Sequence, residues 1–119
     1  MKFLIVDDSN FVKQYLKNYI SEAYPSADFE LASSGEEAFI IYVDKKPDII
    51  ITDLLMPGTG GIEFVKKVRE NDGDTKIVVL TADIQKTVRE EAESLKINAF
   101  INKPATKNGI LSAVSKLLC

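Results

Sequence analysis

Short apolar runs and amphipathic stretches alternate along this chain. Residues 2–6, 48–52, 76–80 and 98–102 are apolar or nearly so and read as strands, with 28–32 a weaker fifth. The run at 48–52 is almost wholly apolar, as a strand needs when helices cover both faces of its sheet. Between the strands the period lengthens. Phe11, Val12, Tyr15, Leu16, Tyr19, Ile20 and Ala23 recur at helical spacing behind Ser9, a good N-cap residue. Pro25-Ser26 breaks that helix. Ser34 with Glu37 three residues on is a capping-box pattern for a helix reaching about Asp44. Met56-Pro57-Gly58-Thr59-Gly60-Gly61 cannot sustain a helix or strand interior and reads as a loop. The next helix, 62–71, carries Phe64, Val65 and Val68 on one side, and Asn71-Asp72-Gly73-Asp74 is a turn. Asp83 is placed to cap a helix through Lys96 with Ile84, Val88, Ala92 and Leu95 as its stripe, and 106–118 is the last helix. Five βα units in succession predict the α/β class, a doubly wound parallel sheet of five strands with helices on both faces.

Composition narrows the chemistry. At 119 residues the chain is one domain, 1–119, large enough for a real core. Apolar residues are 45% and charged residues 28%, which fits a soluble globular protein rather than a disordered one. A net charge of −3 without any basic run argues against nucleic acid as the main partner. Zero histidines exclude imidazole catalysis and His-ligated metals. The lone cysteine, Cys119, makes no internal disulfide. No apolar run approaches membrane-spanning length, and the chain enters a strand pattern directly, without the h-region of a signal peptide. A chain that opens on Met1 and has no linker is expected to be a complete, stand-alone domain.

Polar residues follow four of the strands: Asp7-Asp8, Asp53, Thr81 and Lys103-Pro104. In an open parallel sheet the carboxyl ends of the strands share one edge, and ligands bind there. Three carboxylates, a hydroxyl and an ammonium therefore converge, a set suited to a divalent cation and a phosphoryl group. Adjacent carboxylates repel unless a cation intervenes, and magnesium accepts one or two carboxylates together with waters and phosphate oxygens. A carboxylate such as Asp53 can attack phosphorus and carry an aspartyl phosphate. Thr81 can donate to a phosphoryl oxygen, and Lys103 can pair with Asp53 or its phosphate. Pro104 permits a cis bond after Lys103. Taken singly, each residue has a plainer reading. Asp7-Asp8 could be a solvated turn that caps a helix, Asp53 an ordinary strand-end residue, Thr81 a β-branched strand residue and Lys103 a surface lysine. Their joint spacing shifts the balance.

The ordered set Asp7-Asp8-Ser9, Asp53-Leu54-Leu55-Met56-Pro57, Gly61, Thr81-Ala82 and Lys103-Pro104 resembles the receiver domain of two-component response regulators over the whole chain, most of all its single-domain, CheY-like members. The resemblance implies the flavodoxin-like strand order 2-1-3-4-5. It makes Asp53 the phosphoacceptor, and Asp8, Asp53 and the Leu55 carbonyl the ligands of Mg2+ (or Mn2+), with Asp7 helping directly or through water. Thr81 and Lys103 would hold the phosphoryl oxygens. Phe100 matches the family's switch aromatic, here without the hydroxyl of a tyrosine; core packing is its plainer role. Leu55 and Asp83 would flank the attacking water and tune the lifetime of the phosphate. The implied partners are a histidine kinase or phosphotransfer protein as donor, and a downstream protein on the face of the fourth helix, fifth strand and fifth helix. Ile84, Gln85, Val88, Phe100 and Asn102 are candidates on that face, and a flagellar switch, a phosphatase or a relay protein are candidate targets. The implied setting is a cytoplasmic monomer that switches rather than turns over a substrate.

Three other readings compete. A haloacid-dehalogenase-like phosphatase also uses a strand-end Asp with magnesium, but it needs a second Asp where this chain has Leu55. A flavodoxin-like cofactor binder needs a phosphate-welcoming loop where Asp7-Asp8-Ser9-Asn10 is acidic. A pseudo-receiver that docks without phosphorylation has no need of the intact set Asp7, Asp8, Asp53, Thr81 and Lys103.

Overall fold

The computed structural model describes residues 1–54, 60–82 and 86–118, and for 86–88 the backbone alone. The elements run β1 (Lys2–Val6), α1 (Asn10–Ala23), β2 (Asp28–Ala32), α2 (Gly35–Lys45), β3 (Ile49–Asp53), α3 (Gly61–Asn71), β4 (Lys76–Thr81), α4 (Lys86–Ser94), β5 (Ala99–Asn102) and α5 (Lys107–Leu118). All five strands pair in parallel in the order β2-β1-β3-β4-β5.

Side chains alternate across a strand with period two, and that alternation builds two cores. Leu4, Val6, Ile50, Ile77 and Val79 point to one face, where Ala38 and Tyr42 of α2, Phe64, Val65 and Val68 of α3 and Ala92 of α4 cover them. Phe3, Ile5, Ile49, Ile51, Val78 and Leu80 point to the other, under Leu16 and Ile20 of α1 and Ile110 and Val114 of α5. β3 is buried along its whole length, whereas the edge strands β2 and β5 are largely half-buried.

The caps follow the sequence with one adjustment. Ser9 Oγ accepts from Val12 N at 3.2 Å and Ser34 Oγ from Glu37 N at 3.2 Å. The Glu37 carboxylate reaches Ser33 N at 2.7 Å, one residue before the cap. Two expectations are corrected. On α1, Phe11 is 78% exposed and Ala23 is exposed, while Lys13 is buried, its ammonium donating to Ser33 Oγ. A long lysine can lay its methylenes along an apolar surface while its head reaches a polar partner. α4 ends at Ser94 rather than Lys96. Leu95 N and Lys96 N bond back three residues, to Ala92 O and Glu93 O, and Lys96 takes a left-handed φ of 60°. Arg69 of α3 then takes the exposed carbonyls, through Nε to Leu95 O at 2.7 Å and Nη2 to Lys96 O at 3.0 Å. Burial holds that guanidinium below its usual range.

The turn between α3 and β4 is organised by Asp72. Its Oδ1 accepts from Asp74 N at 2.7 Å and Thr75 N at 3.1 Å, and its Oδ2 from the Thr75 hydroxyl. These bonds, that from the Thr75 hydroxyl first, hold its carboxyl below the usual range.

Candidate functional site at the carboxyl edge of the sheet

The strand order reverses between β1 and β3, and the crevice at such a switch point is where open α/β sheets bind ligands. Val6 pairs with Thr52, so the next residues, Asp7 and Asp53, leave their strands side by side. β4 then brings Thr81 alongside, because Asp53 pairs with Leu80. Register, more than local sequence, assembles this site.

Lys103 joins the two carboxylates. Its Nζ donates to Asp7 Oδ2 at 2.8 Å and to Asp53 Oδ2 at 3.0 Å. Asp7 is fully buried and Asp53 nearly so. Burial disfavours the charged ammonium, but the bonds to Asp7 and Asp53 outweigh it, so Lys103 is held above the usual lysine range. The loop that carries Lys103 is tied to β4 by Lys103 N donating to Thr81 O at 2.7 Å, and the Lys103-Pro104 bond is cis. Asp7 uses its second oxygen to accept from Ser9 N at 2.9 Å, which couples the site to the cap of α1.

The donor set fits a hard divalent cation. Asp7, Asp8 and Asp53 each offer an oxygen, and the three lie within 4.8 Å of one another, with Asp8 on the exposed side. Oxygen-only ligation of this kind suits magnesium, which keeps several waters or phosphate oxygens in its shell. Thr81 supplies a second mark of an anion's place. Its Oγ is buried and, among the described residues, has no hydrogen-bond partner. Such a group carries the cost of its desolvation unless a ligand meets it.

Every described member of the expected set is therefore at this edge. Leu55 and Asp83 lie outside the described residues, as do Ile84 and Gln85, and nothing is described of the Val88 side chain. Phe100 is half-buried against the α2–α3–α4 core, with the Arg89 guanidinium 4.8 Å from its ring centroid. Asn102 is exposed. Gly61 proves to be part of the site's architecture. A Cβ there would fall 1.8 Å from the carbonyl oxygen of Asp53, so α3 can start this close to the end of β3 only with glycine. The ordered motif set marks Gly61, but in a loop of three glycines the sequence offers no steric reason for it.

Thr81→Val tests the orphaned hydroxyl. The replacement keeps the shape and removes a buried group that lacks a partner, so stability should rise by about 1 kcal/mol. Urea denaturation checks this, and a loss of stability would show that the hydroxyl is already satisfied.

A doubly wound sheet with carboxylates and a lysine at its switch point defines a receiver fold. The structure of the chemotaxis response regulator CheY4 of Vibrio cholerae superposes with a TM-score of 0.87 at 29% identity, over 98% of this chain and 97% of that one. The family profile described as the response regulator receiver domain matches residues 3–115, and the chain belongs to that family. Among similar proteins, the chemotaxis protein CheY of Thermotoga maritima is 34% identical over 116 residues, covering 98% of this chain and 96% of the relative. The CheY of Halobacterium salinarum is 31% identical over 115 residues, covering 97% and 94%. The chain is thus a CheY-like receiver, of a family of signalling switches and consistent with two-component signalling. No helix among the described residues is long and apolar enough to cross a membrane.

Proposed function

We propose that this chain is a response regulator that accepts a phosphoryl group on Asp53 and thereby changes its affinity for a protein partner. The observation that carries this reading is Lys103 bonded at once to Asp7 and Asp53 beside a buried Thr81 hydroxyl that has no partner among the described residues. With no histidine in the chain, the donor is a phosphohistidine on a histidine kinase or phosphotransfer protein. A carboxylate oxygen of Asp53 attacks phosphorus, the P–N bond breaks, and its electron pair leaves with the imidazole of the donor. Asp7, Asp8 and Asp53 would hold Mg2+, which when bound offsets the charge of the incoming group. Lys103 passes from the Asp53 carboxylate to a phosphoryl oxygen, and Thr81 Oγ gains the acceptor it lacks.

Phosphorylation adds roughly −1.5 to −2 charges and three acceptor oxygens. The groups that meet them stabilise only the arrangement in which they can reach them, so the modification biases an existing equilibrium. Moving that equilibrium from 1:99 to 99:1 takes about 5.5 kcal/mol, within reach of several charge-assisted bonds around a cation. The output face in this reading is α4–β5–α5, on which the Arg89 guanidinium lies 4.8 Å from the Phe100 ring centroid. The CheY relatives favour a chemotaxis component as target and the cytoplasm as setting.

The test is intact mass after exposure to acetyl phosphate, with and without magnesium, for wild type and Asp53→Asn. One added phosphoryl group, dependent on magnesium and absent from the variant, is expected. No uptake from acetyl phosphate or from a phosphorylated kinase would replace this reading with a pseudo-receiver. Continuous phosphate release from small phosphomonoesters would replace it with a phosphatase.

A further inference from the structure

One row across the sheet holds a single polar residue. It runs Ala32, Val6, Thr52, Val79 and Phe100. Thr52 is fully buried and stands two residues after Ile50, so its side chain shares the face of Val6, Ile50 and Val79. Valine has the same shape and serves both neighbouring strands at this level. Packing alone gives no reason for a hydroxyl here, and an unbonded one in such surroundings is costly. The Thr52 hydroxyl donates to the carbonyl oxygen of Asp53 at 2.9 Å.

That carbonyl stands where the sheet loosens. The pairing of β1 with β3 stops at Val6 and Thr52, so Asp53 is paired on the β4 side alone. On that side the next bond, from Leu54 N to Leu80 O, is a long one at 3.4 Å. Gly61 lies against the same oxygen, since a Cβ there would fall 1.8 Å from it. The peptide after Asp53 is therefore held by a contact from α3 and a bond from Thr52. The Asp53 carboxylate leaves from the Cα to which this peptide is joined, and it meets Lys103 Nζ at 3.0 Å. A turn of the peptide moves that carboxylate.

We propose that Thr52 is a positioning residue for phosphoryl transfer, an assignment that rests on Asp53 being the acceptor. Its hydroxyl locks the peptide after Asp53 and so keeps the attacking carboxylate in the place that Lys103 and Thr81 serve. Thr52 itself touches neither the phosphorus nor the donor. In sequence it passes for a β-branched strand residue, which is all that its place in an apolar run suggests.

Two variants separate positioning from packing. Thr52→Val keeps the shape and loses the donor. Thr52→Ser keeps the donor and loses a buried methyl, which costs stability. Phosphoryl uptake from acetyl phosphate at saturating magnesium is followed by intact mass, and urea denaturation is run in chelator. Thr52→Val should unfold at a urea midpoint near that of wild type yet take up phosphoryl about tenfold more slowly, because small displacements of a reacting group cost much of its rate. Thr52→Ser should unfold at a lower midpoint than Thr52→Val yet react faster. A merely structural hydroxyl would make rate and stability fall together. Uptake by Thr52→Val at the wild-type rate, Thr52→Ser as slow as Thr52→Val, or a Thr52→Val midpoint below that of Thr52→Ser would each overturn the role of Thr52 and leave the acceptor reading standing. No uptake by wild type, from acetyl phosphate or from a phosphorylated kinase, would overturn the acceptor reading and this role with it.

Discussion

Gly61→Ala is expected to destabilise the protein by roughly 3 kcal/mol or more and to abolish phosphoryl uptake. The added methyl would meet backbone, with Asp53 O at 1.8 Å and the Asp53 carbonyl carbon and Leu54 Cα both at 2.8 Å. No side-chain rotation relieves such a contact, so either the end of β3 or the start of α3 must move. Gly61 N also donates to Leu54 O at 3.2 Å, a bond that the same displacement breaks. Because Asp53 is the residue pushed, stability and function fail together. Gly73→Ala is the control, since nothing lies within 4 Å of a Cβ at that position. Urea denaturation and acetyl phosphate uptake of both variants check the prediction. A Gly61→Ala protein with wild-type stability would mean that α3 begins farther from β3 than described.

Lys103→Met is expected to cost about 3–5 kcal/mol in the absence of divalent cation, the usual cost of breaking a buried pair from one side. The substitution keeps most of the side chain's volume, so the loss is electrostatic. It leaves Asp7 and Asp53, both buried, without the ammonium that bridges them at 2.8 and 3.0 Å. Saturating magnesium should recover part of the loss, because a cation held by Asp7, Asp8 and Asp53 replaces the missing charge. Phosphoryl uptake should stay impaired even then, since the phosphoryl oxygen loses its cationic partner. Denaturation with and without magnesium separates these effects. Equal stability of variant and wild type in chelator would show that the two carboxylates do not depend on Lys103.

Much of this molecule is legible in one dimension, and what is not has a common cause. β1 and β2 fall where the apolar runs place them, and the other strands shift by a residue at most, because a strand covered on both faces can hardly be anything but a short apolar run. The caps at Ser9 and Ser34 are equally local, being bonds between residues three apart. The end of α4 is less so. Its last turn is tightened and its carbonyls are taken by Arg69, which is 26 residues from Leu95 in sequence. On α1, helical spacing treats Phe11 and Lys13 by residue type, but the fold leaves Phe11 exposed and buries Lys13, whose ammonium reaches Ser33 just after β2.

The sequence by itself determined the identity of the site's chemical groups and the strand ends on which they ride, since both are properties of short segments. Only the tertiary structure decided that Asp7 and Asp53 share one ammonium, that the Thr81 hydroxyl is buried without a partner among the described residues, and that Gly61 has no room for a methyl. It also decided which side of an apolar helix, α2, is left facing outward. The shared ammonium depends on strand order and register, which join Lys103 to residues 50 and 96 positions away, and the others depend on how elements pack, which no local period carries.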